Sequence, residues 1–421
     1  MIIIISMFVH LPLIVLLAMR LRKNENVDGW IFWCSFIAHL LCGWAVGLLY
    51  LFYYKENDTW ALFNEAVKLS EFAKSDIVAY LKVLILGDQY SAQLASITLV
   101  DRSLLFIRLT SAFNLISFNS YWTVSAYFSL ISFAASWFVF QKIVEQFNEL
   151  KLQAAVAFLF WPSVLFWSSG IIKETLALSG IYFLAGYLIQ FVLERKVSVI
   201  QLLIIGLSIY ISWGLKYYWA AIFLAVTISI LLYRWAQGLW DWVNQYKVGV
   251  WFFIFGSLLV LVSFLHPNFN LDKIIEVVIS NHDLFVQASD PNSAIHFQAL
   301  SGSWFSLVRN SPLALFSSAF RPLPWEAVGT ASLVASFENV CLLAMAFVSL
   351  SQVRELWRSS NRLWLWAIIL YVILLGIFLA LSTPNFGTLS RYRVGFLPFF
   401  VFLILTGNQW INRLWSNLHR N

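Results

Sequence analysis

Eight ionisable side chains stand where a strongly apolar chain has little reason to keep them: Asp58, Lys173, Glu174, Lys216, Arg321, Glu326, Arg391 and Arg393. Asp58 lies in YYKENDTWALFNEA, 53–66, where a second apolar run ends and a helical pattern begins. An acid there can cap a helix, or it can serve as a general base at a membrane-interface site. Lys173 and Glu174 follow the break in FWPSVLFWSSGIIKETLALSG, 160–180. They can be interfacial anchors, or a lysine at a helix N-terminus can hold an anion. Lys216 sits among aromatics in WGLKYYW, which an aromatic belt explains as well as a ligand does. Arg321 and Glu326 bracket the proline-rich FRPLPWEA, as a salt-bridged turn or as part of a site. Arg391 and Arg393 alternate around Tyr392 after a flexible PNFGT turn. Arginine is permanently charged and binds phosphate through two parallel hydrogen bonds. The five cations of this set fit a negatively charged ligand such as a lipid phosphate or diphosphate.

Two further polar residues lie inside apolar runs. Glu338 falls near the middle of one, so it must be protonated, paired or set in a polar cavity. His39 reads more simply as a packed core histidine. Asp58, Glu56, Asp76, Asp88, His282 and Asp283 could donate to a divalent metal ion, but their spacing matches no metal motif, so no metal ligand is assigned. Cys34, Cys42 and Cys341 are scattered in apolar stretches and suggest neither zinc nor a disulfide framework.

The elements that position these residues follow from composition. The chain has 421 residues, 61% of them hydrophobic and only 11% charged, against about 25% charged in soluble domains. It reads as an all-α polytopic membrane protein forming a single transmembrane domain, 1–421. Apolar runs predict about eleven transmembrane helices of roughly 20 residues: 2–19, 30–53, 121–140, 153–169, 175–193, 198–214, 217–233, 248–265, 327–350, 363–382 and 394–411. The opening run is expected to be an uncleaved first span. Alternate short connections carry Arg20, Arg22 and Lys23, then Lys142 and Lys151, Arg195 and Lys196, Arg234 and Lys247, Arg354, Arg358 and Arg362, and finally Arg413 and Arg420. By the positive-inside rule these are cytoplasmic, which puts the N-terminus outside, the C-terminus inside and the eight residues above on the outer face. The net charge of +6 then reflects membrane anchoring and gives no reason to expect nucleic acid. The first outer loop, 54–120, is expected to hold amphipathic helices, because Phe63, Ala66, Ala73, Ile77, Tyr80 and Leu84 keep helical spacing. A second outer loop, 266–326, is expected to fold over the outer mouth.

An acid soon after a span, a following loop with amphipathic helices and an RY motif before the last span together resemble the GT-C superfamily of integral-membrane glycosyltransferases. NDTWALF, PSVLFWSSGIIKE, FRPLPWE and NFGTLSRYR are similar to motifs of proteins from bacterial surface-polysaccharide loci. The resemblance implies a bacterial inner-membrane enzyme moving a sugar from a polyprenyl-phosphate donor to a glycan or lipid-linked acceptor on the periplasmic side. It also implies Asp58 as catalytic base or metal ligand, and Arg391 and Arg393 as contacts to lipid phosphate. Lys173, Glu174, Lys216, Arg321 and Glu326 would complete the phosphate-binding region, with Trp60, Trp167 and Trp325 available to stack on sugars. No D-x-D pair occurs in the first outer loop, and Asp58 follows the second span, so one span would precede the family core. Loop 266–326 is also similar to that of O-antigen polymerases and ligases, which use polyprenyl-diphosphate glycans. A lipid-linked saccharide flippase or other transporter is the third reading, favoured by Glu338 and His39.

Overall fold

The computed structural model describes residues 2–22, 29–54, 58–87, 101–192, 197–265, 270–350 and 362–406. These are helical almost throughout; no strand occurs among them beyond an isolated bridge between Ala294 and Asn385. Among the described residues, eight helices are long and apolar enough to cross a membrane, or nine if a bent pair near the C-terminal end is one span. Large apolar side chains are exposed on many of them, including Ile4 and Phe8, Val199 and Ile200, and Phe253 and Phe264. Serines are buried instead. That inversion is what a lipid solvent selects, and the chain is a helical, multi-pass membrane protein.

The described residues cluster into two compact units. The first comprises Met1–Gln146, Phe158–Ile189 and Lys196–Tyr217; the second comprises Phe147–Ala157, Gln190–Arg195 and Tyr218–Asn421.

In the first unit, α1 (Ile2–Leu21) and α2 (Gly29–Phe52) pack against α6 (Tyr121–Gln146). Buried polar groups join them: His10 Nδ1 is 2.7 Å from the Tyr127 hydroxyl, and Ser6 Oγ donates to the Ser117 carbonyl at 2.8 Å. Small residues bring backbones close, and Gly43 of α2 lies directly against Gly170. The first connecting segment forms α3 (Asp58–Ser75) and α4 (Ile77–Leu86), packed on α5 (Asp101–Ile116). Phe63, Ala66 and Ala73 lie on the buried face of α3, as their spacing predicts, and Leu69 joins them there. The helical spacing that runs from Phe63 to Leu84 is interrupted at Asp76, whose carboxylate caps α4 by accepting from the Ala79 N–H at 2.9 Å. The break rotates Ile77 outward while Tyr80 and Val83 stay buried. Among the described residues α5 has 16, fewer than a crossing helix needs.

The expected span 153–169 is interrupted in the structure, whereas the expected spans 198–214 and 217–233 meet at a break. The run 153–169 is divided into α7 (Lys151–Ala155), a π-helical turn over Val156–Phe160 and α8 (Pro162–Trp167). Pro162 lacks an N–H and holds Trp161 extended (ψ 121°), which interrupts the helix. Beyond α9 (Lys173–Val192), the runs 198–214 and 217–233 form one stretch, α10 (Val199–Leu239). Its 41 residues would reach roughly 60 Å unbroken, about twice the hydrocarbon core. Lys216 leaves the helical region (φ −144°, ψ 67°) and breaks it into two span-length pieces.

The second unit adds α11 (Lys247–Leu265), α12 (Leu271–Ala288), α13 (Trp304–Phe320), α14 (Thr330–Leu350) and α15 (Arg362–Ser382). The stretch expected to be an outer loop, 266–326, thus holds two helices, α12 and α13. Gly376 lets α13 approach α15 closely, because a Cβ there would meet Ser318 Oγ at 2.8 Å. The expected last span, 394–411, is reached through α16 (Phe386–Tyr392) and a 3₁₀ turn, Arg393–Gly395, before α17 (Leu397–Thr406). The two arms of this pair are bent by 68° at Phe396. Trp219 packs straight onto Gly395, where any side chain would collide with the indole.

Candidate functional site

The second unit gathers Arg321, Glu326, Glu338, Arg391 and Arg393 on neighbouring elements. Arg321 ends α13, and its peptide bond to Pro322 is cis. The following turn, Pro324–Glu326, folds Glu326 back: Arg321 Nε donates to its two carboxylate oxygens at 2.8 and 3.1 Å, and Nη2 donates to Oε1 at 2.5 Å. The Leu323 N–H adds a third donor at 2.9 Å. Burial opposes ionisation of Glu326, but these hydrogen bonds outweigh it and hold the carboxyl below its ordinary range. The other side of the Arg321 guanidinium covers the Phe386 ring of α16 at 4.9 Å. Arg321 and Glu326 are therefore a closed, salt-bridged turn.

Arg393 is different. Its side chain is 0% exposed, and among the described residues only Nη1 finds an acceptor, the Ala319 carbonyl at 3.4 Å. Nη2 lies 3.9 Å from Glu338 Oε1, inside ion-pair range but beyond a hydrogen bond. Nε and Nη2 have no hydrogen-bond partner among the described residues. The two arginines thus use the same guanidinium edge differently. Glu326 fills it in Arg321; in Arg393 it faces only a distant carboxylate. A buried unmet donor costs about 1–3 kcal/mol, more when charged, so this arrangement calls for a physical reason.

Sequence reading places Arg391 and Arg393 in an outer connection. The structure instead sets Arg393 beside the middle of α14 and α15 and beside the last turn of α13. Glu338 is near the middle of α14, and Tyr371, midway along α15, donates its hydroxyl to the Gly395 carbonyl at 2.8 Å. A hydropathy pattern treats an arginine as an interface marker and cannot register a buried carboxylate far away in sequence. Arg391 is half-buried, its guanidinium 5.5 Å from the Tyr392 ring centre.

An apolar groove of about 600 Å³ runs between α13, α14, α15 and α17. Leu315, Phe316, Ala319, Leu343, Trp366 and Phe400 line it, and Ala319 is the residue whose carbonyl takes the Arg393 hydrogen bond. Arg393 itself is enclosed and does not line the groove; the charged residue that does is Arg362. Asn339 is a residue that sequence reading misses. Its Nδ2 donates to the Pro322 carbonyl at 2.8 Å and ties α14 to the Arg321 turn. The available signal is the Glu338–Asn339 pair inside an apolar run.

The first unit holds the remaining candidates. Glu174, in the first turn of α9, lies 2.7 Å from Lys216 Nζ at the α10 break, with both side chains buried. Lys173 Nζ donates to Ser103 Oγ at 2.7 Å. The turn before α9 places Gly170 at φ +77° beside Gly43. Thr59 donates to the Ile171 carbonyl at 2.5 Å, which ties the start of α3 to that same turn. The side chain of Asp58, like Glu56 and Asp88, lies outside the described residues. Trp60 stacks on Tyr121 at 3.8 Å, Trp167 packs against Phe166, and Trp325 is exposed. His39 is held by the Ser35 carbonyl at 2.8 Å and by Ser136 at 3.4 Å, as a packed core histidine. Among the described residues no three His, Cys, Asp or Glu side chains converge as metal ligands. His282 pairs with its neighbour Asp283.

No family model, curated protein or solved structure matches the chain.

Proposed function

We propose that the protein is a membrane glycosyltransferase that takes its sugar from a polyprenyl-phosphate donor and works in cell-surface polysaccharide synthesis at the periplasmic face of a bacterial inner membrane. The observations that carry this reading are the buried Arg393 guanidinium, two of whose nitrogens have no hydrogen-bond partner among the described residues, and the apolar groove in the same unit. An isoprenoid chain suits a groove of that lining, and a phosphate supplies the acceptors that Nε and Nη2 lack. In transfer, an acceptor hydroxyl attacks the anomeric carbon, and the bond from that carbon to the phosphate oxygen breaks. The departing phosphate keeps the electron pair, and a fixed guanidinium stabilises its growing charge. The hydroxyl proton passes to a carboxylate, for which the sequence offers Asp58. A polymerase or ligase using diphosphate-linked glycans would need the same groove and cation.

One structural feature favours a second reading. Bent helix pairs with charges buried at the break also occur in transporters of polar cargo, and the 68° bend after Arg393 is of that kind. A lipid-linked saccharide flippase would use Arg393 as a waypoint.

Purified protein in nanodiscs, incubated with a panel of polyprenyl-phosphate and polyprenyl-diphosphate sugars, separates these readings. Release of monophosphate, lost in Asp58→Asn and in Arg393→Gln, is the expected result. Release of diphosphate that survives Asp58→Asn assigns the polymerase or ligase. Movement of donor across sealed vesicles with no new glycosidic bond assigns transport.

A further inference from the structure

We infer that the apolar groove of the second unit holds one anionic phospholipid of the surrounding membrane, with an acyl chain between the helices and its phosphate against Arg362. This does not depend on the sugar-transfer reading above, since the lipid is a constituent of the membrane and not the donor.

Three observations lead to it. First, the groove is open: Phe316, Phe347 and Leu350 line it and are themselves exposed. An unfilled apolar cleft forfeits dispersion contacts, so in a bilayer it takes up a lipid chain, and the lining decides which lipid. Second, among the described lining residues Arg362, at the start of α15, alone carries a charge, and no Asp or Glu accompanies it. Arg362 is half-buried and forms no ion pair among the described residues. Third, its surroundings are cationic and polar. Tyr233 lies within electrostatic range of both Arg362 and Arg234. The Tyr233 hydroxyl is buried and has no hydrogen-bond partner among the described residues.

These features select a headgroup. A zwitterionic phospholipid brings its own cation, which the charges of Arg362 and Arg234 oppose. An anionic one brings phosphate oxygens without that cation, and a guanidinium takes such oxygens in pairs. The connection that ends at Arg362 also carries Arg354 and Arg358 in sequence, the pattern read above as cytoplasmic. The lipid is therefore drawn from the inner leaflet, whose anionic members arginines at a membrane surface attract. Any other lipid chain that uses the groove must displace this resident, so membrane composition tunes how readily the groove accepts it.

Native mass spectrometry of the purified full-length protein tests this, with phosphatidylglycerol or phosphatidylcholine of the same acyl chains titrated in detergent. Wild type is expected to bind one phosphatidylglycerol about fivefold more tightly than one phosphatidylcholine. Arg362→Gln should erase that preference and leave phosphatidylcholine binding unchanged, which reports an intact groove. Arg362→Lys keeps the charge and should retain the preference. Arg309→Gln removes a charge from a residue that does not line the groove and should retain it too. Ala346→Trp, which fills the groove, should weaken binding of both lipids. A wild type without preference, or a preference that survives Arg362→Gln or is lost equally in Arg309→Gln, overturns the inference. Phosphatidylglycerol binding untouched by Ala346→Trp overturns it independently of Arg362.

Discussion

Lys216 Nζ stands 2.7 Å from Glu174 Oε1, and neither side chain is more than 5% exposed. A buried pair of this kind adds little net stability, because desolvation offsets attraction, yet breaking it strands one charge. Lys216→Met or Glu174→Leu alone should therefore destabilise the protein by roughly 3–5 kcal/mol. The double variant should recover most of that loss. Thermal unfolding of the four proteins in one detergent checks it, and additive losses would mean the pair is not coupled.

The Arg321–Glu326 turn predicts a pH dependence. The folded state holds the Glu326 carboxyl below its ordinary value of 4.5. A depressed carboxyl contributes stability that is complete above its unfolded value and is lost as pH falls through its folded value. Wild type should melt above Glu326→Gln at pH 7, and the gap should close as the medium is acidified below about pH 4. A gap that stays constant into acid would exclude ionisation as its source.

Gly170 combines φ +77° with close backbone contact, since a Cβ there would lie 2.7 Å from the Gly43 carbonyl oxygen. Gly170→Ala should cost about 1–2 kcal/mol for the left-handed backbone and about 1–3 kcal/mol more for overpacking. Gly206, in α10, has nothing within 4 Å of an added Cβ. Gly206→Ala should be neutral or stabilising by up to ~1 kcal/mol. Melting temperatures of the two variants give the comparison, and equal shifts would contradict the close approach.

The groove predicts a dependence on chain length. Ala346 lines it from α14, and Ala346→Trp would fill part of its volume. Undecaprenyl phosphate should bind about tenfold more weakly, while geranyl phosphate, with its short tail, should be little affected. Equal weakening of both would point to a disturbed headgroup site.

Much of the helical framework is legible in the sequence because hydropathy and periodicity are local properties. The buried face of α3 follows from the spacing of Phe63, Ala66 and Ala73, and the interruption of α10 at Lys216 is marked by a lysine among apolar residues. The same periodicity runs on through Asp76 and hides the break there, because the capping geometry depends on one backbone rotation. The site is less legible. The charged residues stand out, but their partners do not: Glu174 finds Lys216, Lys173 finds Ser103, and Arg393 finds Glu338 through contacts between segments remote in sequence. The groove is invisible to any one segment, because four helices each contribute only part of its wall.

The position of Arg393 beside the middle of α14 and α15 has an electrical consequence. Moving one elementary charge across a full 100 mV membrane potential changes its energy by about 2.3 kcal/mol. A ligand charge that travels half the barrier experiences about half of that, roughly a sevenfold change in occupancy. In a cell whose interior is negative, the field would oppose an anion that moves inward to the site and assist one that reaches it from the interior. Occupancy of Arg393 would then follow the energisation of the membrane as well as the supply of ligand.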